Sequence, residues 1–263
     1  MLKTRIIPVL LYKDTGLVKG TGFNSWRRVG PALPAVNIHD LREVDELIFL
    51  DIGCDEPDFD LLRDVSDACF MPLTVGGGVS ELDHFRELLL AGADKVAINS
   101  AAVRLPSLLE TASRKFGSQC VTVSIDVLEG EVVIDRGCSA TGLSPLKWAR
   151  TVEKLGAGEI LLNSVERDGT MQGYDLELIR TVSNAVNIPV VACGGAGTYE
   201  HFAEGLRAGA HSVAAGAVFQ FTERTPGGAA TYLDGQGFPV RIVRPDNGGH
   251  GDVGTRAGST PAP

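Results

Sequence analysis

The sequence predicts a parallel α/β fold, and within that class a (βα)8 (TIM) barrel built from two similar (βα)4 halves. Two observations carry this prediction. Short β-branched runs alternate with stretches of helical periodicity, and the second half of the chain repeats the first. The length of 263 residues suits one such barrel, since these barrels run to about 250 residues.

Eight apolar runs are strand candidates, and amphipathic helical patterns fill the intervals between them. Two such patterns run from Ser80 to Leu90 and from Tyr174 to Val182. Thr225 and Pro226 predict the cap and the first residue of the last helix. The predicted strands are Arg5–Leu11, Glu46–Ile52, Pro72–Val75, Lys95–Asn99, Val121–Asp126, Glu159–Asn163, Pro189–Cys193 and Ser212–Gly216.

The repeat between the two halves is ungapped. Met71–Phe85 aligns with Ile188–Phe202 so that a proline, two glycines and a His-Phe pair coincide. Further along, Ala91–Ala93 falls on Ala208–Ala210. Duplication of a half-barrel explains this match, and two matched sets of four strands favour a closed barrel over an open sheet.

Composition limits the domain count and the partners. We expect the barrel to occupy residues 1–243, and residues 244–263, which offer few apolar side chains to bury, to form a disordered tail. The net charge of −9 without a basic cluster argues against a nucleic-acid partner. No stretch approaches the about 20 apolar residues of a membrane span, and the N-terminus lacks a signal peptide's apolar run.

The five cysteines are odd in number and follow no pattern. They predict a cytoplasmic protein with reduced, buried thiols, because disulfides are rare in that compartment. No spacing of cysteine or histidine suggests a metal site, and we expect neither a metal nor a cofactor.

Glycine clusters follow the strands in both halves. Gly76–Gly78 follows one strand and Asn99 ends the next, while Gly194–Gly195 and Gly216–Ala217 occupy the same places in the second half. Backbone N–H groups of such loops and the following helix starts can bind phosphate. Two clusters therefore predict a long ligand with a phosphate at each end. The alternative is that the glycines only form tight turns.

Carboxylates stand at the same ends of the strands, where a (βα)8 barrel carries its active site. Asp51 and Asp126 end two strands, and Asp168 lies just beyond a third. Capping of the next helix is the alternative role. Asp126 fits that alternative least, because Val127–Ile134 has the pattern of a hairpin, and it is a candidate general acid or base.

Four charged residues stand at the opposite ends of the strands. Arg5, Glu46, Lys95 and Glu159 each start a strand and should converge at the barrel floor. The alternative to a functional role is an ordinary ring of salt bridges that seals the bottom.

Several long strings resemble the family of the imidazole glycerol phosphate synthase cyclase subunit (HisF), from Leu2 to about Arg241. They include Leu73–Gly78, Ala91–Val103, Arg167–Thr170 and Gly194–Gly197. The resemblance implies a lyase-type synthase subunit with a bis-phosphorylated aminoimidazole-carboxamide ribonucleotide as ligand.

The resemblance also assigns roles to residues. Ammonia from a glutaminase (HisH-like) subunit at the N-terminal face would enter through the floor. Asp126 and Lys19, the latter in the family's mobile loop over the site, are the implied catalytic residues. The implied phosphate ligands are Gly78, Asn99 and Ser100 at one end and Asp168, Gly169, Gly195, Gly216 and Ala217 at the other, and the implied ammonia gate is Arg5, Glu46, Lys95 and Glu159.

The sequence departs from the family at one catalytic position. The family uses two aspartates, ending the first and fifth strands; Asp126 matches the second, but Leu11 occupies the place of the first. The repeat makes the same point, because Leu11 stands where Asp126 stands in the other half. The hairpin after Asp126 is also shorter than in the family, and Arg136–Ser139 replaces its Ser-Gly-Lys-Lys type sequence.

Three functions are compatible with these residues. The Ile7–Lys19 pattern resembles a divergent branch that conducts ammonia for a separate amidotransferase in the amidation of sugars of surface polysaccharides, and we favour that role, for a sugar or a specialised metabolite. The second is an active cyclase of histidine biosynthesis, in which Asp126 suffices to form imidazole glycerol phosphate and aminoimidazole-carboxamide ribotide. The third is a scaffold without either activity, which the retained floor and glycine clusters argue against.

Overall fold

The computed structural model describes residues 3–243. The tail predicted over residues 244–263 lies outside the described residues, and its disorder stays a prediction. Within the described part, no helix is long and apolar enough to cross a membrane. All five cysteines are free, as expected, but the prediction of buried thiols holds only in part, because Cys138 is exposed and the other four are partly buried.

The described residues form twelve strands in one sheet, eight of which close into a parallel barrel. The barrel order is β1, β4, β5, β6, β7, β10, β11 and β12, and β12 pairs in parallel with β1. All eight predicted strands are thereby confirmed. The strands are β1 (Ile6–Lys13), β2 (Gly16–Thr21), β3 (Asn24–Gly30), β4 (Leu47–Asp51), β5 (Leu73–Gly76), β6 (Lys95–Ile98), β7 (Val121–Leu128), β8 (Glu131–Ile134), β9 (Ser139–Ala140), β10 (Glu159–Ser164), β11 (Val190–Cys193) and β12 (Ser212–Ala215).

Helices lie between consecutive barrel strands and form the outer layer. The predicted cap of the last helix is confirmed, since the Gly228 backbone N–H donates to Thr225 Oγ1 over 3.0 Å and Pro226 is the first helical residue. The helices are α1 (Ala32–Leu41), α2 (Phe59–Asp67), α3 (Leu82–Leu90), α4 (Ser100–Arg104), α5 (Ser107–Phe116), α6 (Pro145–Lys154), α7 (Leu176–Ser183), α8 (Tyr199–Arg207), α9 (Ala217–Phe221) and α10 (Pro226–Gly235), with a 3-10 turn at Ser118–Cys120.

Both halves of the barrel carry a hairpin at the same place. Strand β7 continues into β8, as the pattern after Asp126 predicts, and β1 continues in the same way into β2. The sequence identified the latter segment only as a loop carrying Lys19, whereas it forms the antiparallel strands β2 and β3. The reason is local: Leu17 and Val18 are buried, and Asp14 takes the left-handed conformation that a tight turn needs.

The strands are buried on both faces, which explains their nearly continuous apolar sequences. One cluster fills the barrel interior and includes Ile7, Val9 and Leu11. A larger cluster fills the space between barrel and helices. Phe85 and Phe202, which coincide in the repeat, are both fully buried in that outer cluster.

The repeat predicts that truncating either of its two buried phenylalanines lowers the stability of the fold by a similar amount. We expect Phe85→Ala and Phe202→Ala each to lower the free energy of unfolding by about 3–5 kcal/mol, because each leaves a cavity in a packed core. Phe70→Ala is the control, since that ring is 87% exposed. Urea unfolding followed by circular dichroism measures all three; a negligible effect at either core position would show that the halves are not packed equivalently.

Candidate functional site

A cavity of about 300 Å³ opens at the carboxyl ends of the barrel strands. It collects polar residues from both halves, at the end of the barrel where the sequence predicts the active site. Every residue predicted to act on or bind the ligand lines it, namely Lys19, Gly78, Asn99, Ser100, Asp126, Asp168, Gly169, Gly195, Gly216 and Ala217.

Asp126 is one of two buried carboxylates in this cavity, the other being Asp51. The Asp126 side chain is 8% exposed and accepts a hydrogen bond of 3.0 Å from Ser124 Oγ. Burial raises the pKa of Asp126 to about 7, with a further contribution from the charge of Asp168, while the hydrogen bonds from Ser124 and Asn163 act in the opposite direction. A carboxyl group with such a pKa can both donate and accept a proton near neutral pH.

Leu11 is the counterpart of Asp126 in the other half. Leu11 pairs with Leu50 on β4 and Val18 on β2, just as Asp126 pairs with Asn163 on β10 and Val133 on β8. Leu11 lines the same cavity and is buried. Equivalent positions of the two halves therefore carry Leu11 and Leu50 on one side of the barrel and Asp126 and Asn163 on the other.

Lys19 extends from the β2–β3 hairpin into the cavity and is 6% exposed. Its amino group lies against Gly216, since a methyl group there would stand 2.0 Å from Lys19 Nζ. Burial lowers the pKa of Lys19, and the nearby carboxylate of Asp168 opposes that effect. The Gly22 backbone N–H donates to Asp168 O over 3.0 Å and holds the hairpin over the cavity.

The helix-capping alternative fails for all three aspartates. The helix after Asp168, α7, begins at Leu176 and is capped by Asp175. Asp51 accepts the backbone N–H of Gly53 over 2.9 Å, while the next helix begins at Phe59 and is capped by Asp58. Asp126 continues into the β7–β8 hairpin. Asp51 and Asp126 are thus free of a capping role and face the cavity.

The glycine loops have a structural requirement of their own. Gly78 and Gly195 have positive φ angles of 63° and 113°. A methyl group would lie 2.6 Å from the Glu56 backbone at Gly78 and 2.2 Å from Gly173 O at Gly195. Tight turns therefore explain why these residues are glycine, and phosphate binding has to be argued separately.

Three charged residues near Ser100 were not predicted from the sequence. Ser100 Oγ donates to Asn99 Oδ1 over 3.1 Å and accepts the Asp135 backbone N–H over 2.9 Å. Asp135 in turn forms an ion pair of 2.6 Å with Arg104. Arg104, Asp135 and Arg136 all line the cavity, although no local motif in the sequence connects them.

The four charged residues at the starts of the strands meet, as predicted, and form what we call the floor ring. Arg5 binds both Glu46 and Glu159, and Lys95 Nζ lies 3.0 Å from Glu46 and 2.8 Å from Glu159. Burial disfavours the charged forms of Arg5 and Glu159, but their hydrogen bond and mutual charge outweigh it. The pKa of Arg5 is therefore raised and that of Glu159 is lowered.

The fold and the cavity define a (βα)8-barrel protein of two similar halves, with ionisable side chains at the carboxyl ends of its strands. Residues 5–225 match the histidine biosynthesis protein family. The chain is also 46% identical to the imidazole glycerol phosphate synthase subunit HisF of Gluconacetobacter diazotrophicus over 250 residues, covering 92% of this chain and 97% of that protein. The chain belongs to the histidine biosynthesis protein family and is a HisF-like subunit.

The raised pKa of Asp126 predicts a pH-dependent cost in stability. The carboxyl group is protonated more readily in the folded than in the unfolded chain, so the stability that it contributes below pH 4 is lost as the pH rises to about 7. We expect Asp126→Asn to raise the melting temperature at pH 8 and to change it little at pH 4. Asp64→Asn, which removes an exposed carboxylate on α2, is the control. Equal effects of Asp126→Asn at both pH values would contradict the raised pKa.

Proposed function

We propose that this HisF-like subunit conducts ammonia from a glutaminase (HisH-like) partner through its barrel and supports nitrogen transfer to a sugar or a specialised metabolite. The observation that carries the proposal is the leucine pair, Leu11 and Leu50, at the place equivalent to Asp126 and Asn163. A leucine cannot transfer a proton, and loss of a general acid or base typically costs about 10²–10⁴ in rate. The cavity therefore retains one half of a two-carboxylate centre.

The floor ring supports the passage of ammonia. It separates the N-terminal face from the barrel interior, whose lining above the ring is apolar (Ile7, Val9, Ile48). Ammonia is small and neutral, so an apolar interior admits it while excluding ammonium and bulk water. A ring held only by side chains opens by rotation of one of them, and Lys95 is the most mobile type of side chain among the four.

The N-terminal face has the properties of a docking surface for the glutaminase. Helices run antiparallel to the strands, so the ends of α1 and α3 and the segment before β5 reach this face. They expose Leu41, Phe70 and Leu90, and the C-terminal segment adds Ile242. Leu41 and Phe70 are 83% and 87% exposed. Apolar side chains concentrated around one opening are typical of a protein–protein interface.

We further propose that the two glycine loops bind the phosphates of a bis-phosphorylated ligand. Their glycines line the cavity in equivalent places of the two halves, with Ser100 on one side and Lys19 on the other. The final transfer of nitrogen then belongs to a separate amidotransferase. A cytoplasmic location is consistent with five free cysteines, because that compartment keeps thiols reduced.

Active cyclization in histidine biosynthesis is the second candidate. The pKa of Asp126, about 7, suits proton transfer, and buried Lys19 offers a second ionisable group in the cavity. The 46% identity to a HisF subunit along nearly its whole length also favours this candidate. In that case the protein converts ammonia and the ribonucleotide to imidazole glycerol phosphate and aminoimidazole-carboxamide ribotide.

Restoring the missing carboxylate separates the two candidates. We expect Leu11→Asp to raise the ammonia-dependent turnover of the bis-phosphorylated ribonucleotide by at least about tenfold, because it supplies a second proton-transfer group. Leu50→Asp is the matched control, since it adds the same charge to the same cavity one strand away. Turnover that falls in Leu11→Asp would favour the active cyclase built on Asp126 alone.

The floor ring predicts that coupling depends on Lys95. In a complex with the glutaminase, Lys95→Met should leave glutamine hydrolysis intact but release ammonia to the solvent, because the ring loses one of the two cations that join both glutamates. The ratio of glutamine hydrolysed to nitrogen incorporated measures this effect. Lys147→Met, on the exposed face of α6, is the control. An unchanged ratio in Lys95→Met would reduce the floor ring to a structural seal.

A further inference from the structure

The turn Asp135–Gly137, which joins β8 to β9, has a backbone that its sequence does not favour. Asp135 and Arg136 have φ angles of 54° and 61°, followed by Gly137 at 82°. Aspartate tolerates the left-handed region, but arginine has no local reason to adopt it. A residue held in such a conformation is fixed by its surroundings, and such residues concentrate at binding sites.

Three contacts hold this turn over the cavity. The Asp135 backbone N–H binds Ser100 Oγ over 2.9 Å, and the Asp135 carboxylate binds Arg104 over 2.6 Å. Gly137 lies against the ring of Phe23 at the tip of the β2–β3 hairpin. The two hairpins of the two halves therefore meet above the cavity.

The Arg136 side chain crosses the mouth from that turn. Its Nη1 donates to Ile52 O over 2.9 Å, in the loop after β4. The same loop packs on Gly78, since a methyl group at Gly78 would lie 2.6 Å from the Glu56 backbone. The side chain thus runs from the Ser100 side of the cavity to the Gly78 side, over the place where the first-half glycine loop faces the cavity.

The guanidinium group is only weakly engaged by the protein. Among the described residues, the carboxylate that pairs with it is Asp55, which is 3.9 Å away and almost fully exposed, while Arg104 and Asp135 neutralise each other. Arg136 therefore contributes a positive charge on this side of the mouth that is paired only loosely, with Asp55, and that shares the cavity lining with Asp51. A guanidinium presents a planar fork of donors that matches the oxygens of phosphate.

We infer that Arg136 determines specificity at the first-half end of the cavity by binding the phosphate of the ligand there. The inference rests on the proposed binding of a bis-phosphorylated ligand and names the side chain that recognises one of its ends. The strained backbone at Arg136 then has a function, because it directs the side chain across the mouth of the cavity. A glycine would fit the turn better but would leave that phosphate without a counter-charge.

Arg136→Gly tests the inference, because relief of backbone strain should stabilise the fold while loss of the side chain should weaken phosphate binding. We expect the variant to melt at the same temperature as the wild type or higher, since glycine adopts positive φ freely. Its affinity for inorganic phosphate at one of two sites should fall about 10- to 100-fold, as expected for lost charge-assisted hydrogen bonds. Arg136→Lys, which keeps the charge without the fork, should lie in between.

The turn at the other end of β8 offers a matched control. Glu129 also has a positive φ, 51°, but lies in the exposed β7–β8 turn and does not line the cavity. Glu129→Gly should therefore relieve strain and leave phosphate binding unchanged. Titration calorimetry at low ionic strength measures binding for the full-length chain and its variants. If Arg136→Gly binds two phosphates with wild-type affinity, the role of Arg136 is overturned and the proposed ligand class stands. If the wild type binds no phosphate, the proposed ligand class is overturned as well.

Discussion

Alternating charge at the barrel floor is the constraint on which the rest of the structure depends. Glu46 and Glu159 are each shared by Arg5 and Lys95, so four buried or half-buried groups form a closed ring. They come from the starts of β1, β4, β6 and β10, which are not all neighbours in the sheet. The ring therefore ties opposite sides of the barrel together. Removing any member would leave a buried charge uncompensated, which typically costs about 3–5 kcal/mol.

Above this floor, the two halves diverge. The backbone keeps the duplicated plan, with β1–β2 and β7–β8 as equivalent hairpins. The side chains at the carboxyl ends do not, because Leu11 and Leu50 are apolar where Asp126 and Asn163 are polar. Burial raises the pKa of Asp126, whereas the equivalent position in the other half, Leu11, carries no carboxylate. The backbone plan is duplicated, while the Asp-Asn pair stands on one side of the barrel only.

Most of the fold was predictable, because parallel strands that are buried on both faces leave short, nearly continuous apolar runs in the sequence. The ungapped repeat predicted that the sheet closes into a barrel, and the charges at the strand starts predicted the floor ring. The β2–β3 hairpin was missed, since its outer strand Asn24–Gly30 is polar and mostly exposed. The turn at Asp135 and Arg136 was missed for another reason. Its left-handed backbone is imposed by Ser100, Arg104 and Ile52, which are distant in sequence.

The central claim is that Asp126, with Leu11 at the equivalent position in the other half, does not sustain ring closure. The most direct measurement compares the wild-type chain with the HisF subunit of Gluconacetobacter diazotrophicus in one assay, using ammonium salts and the bis-phosphorylated ribonucleotide without any glutaminase. The account predicts a turnover at least about 100-fold lower for this chain, as expected when a general acid or base is absent. Equal turnover by the two proteins would contradict it and make Asp126 sufficient for the chemistry.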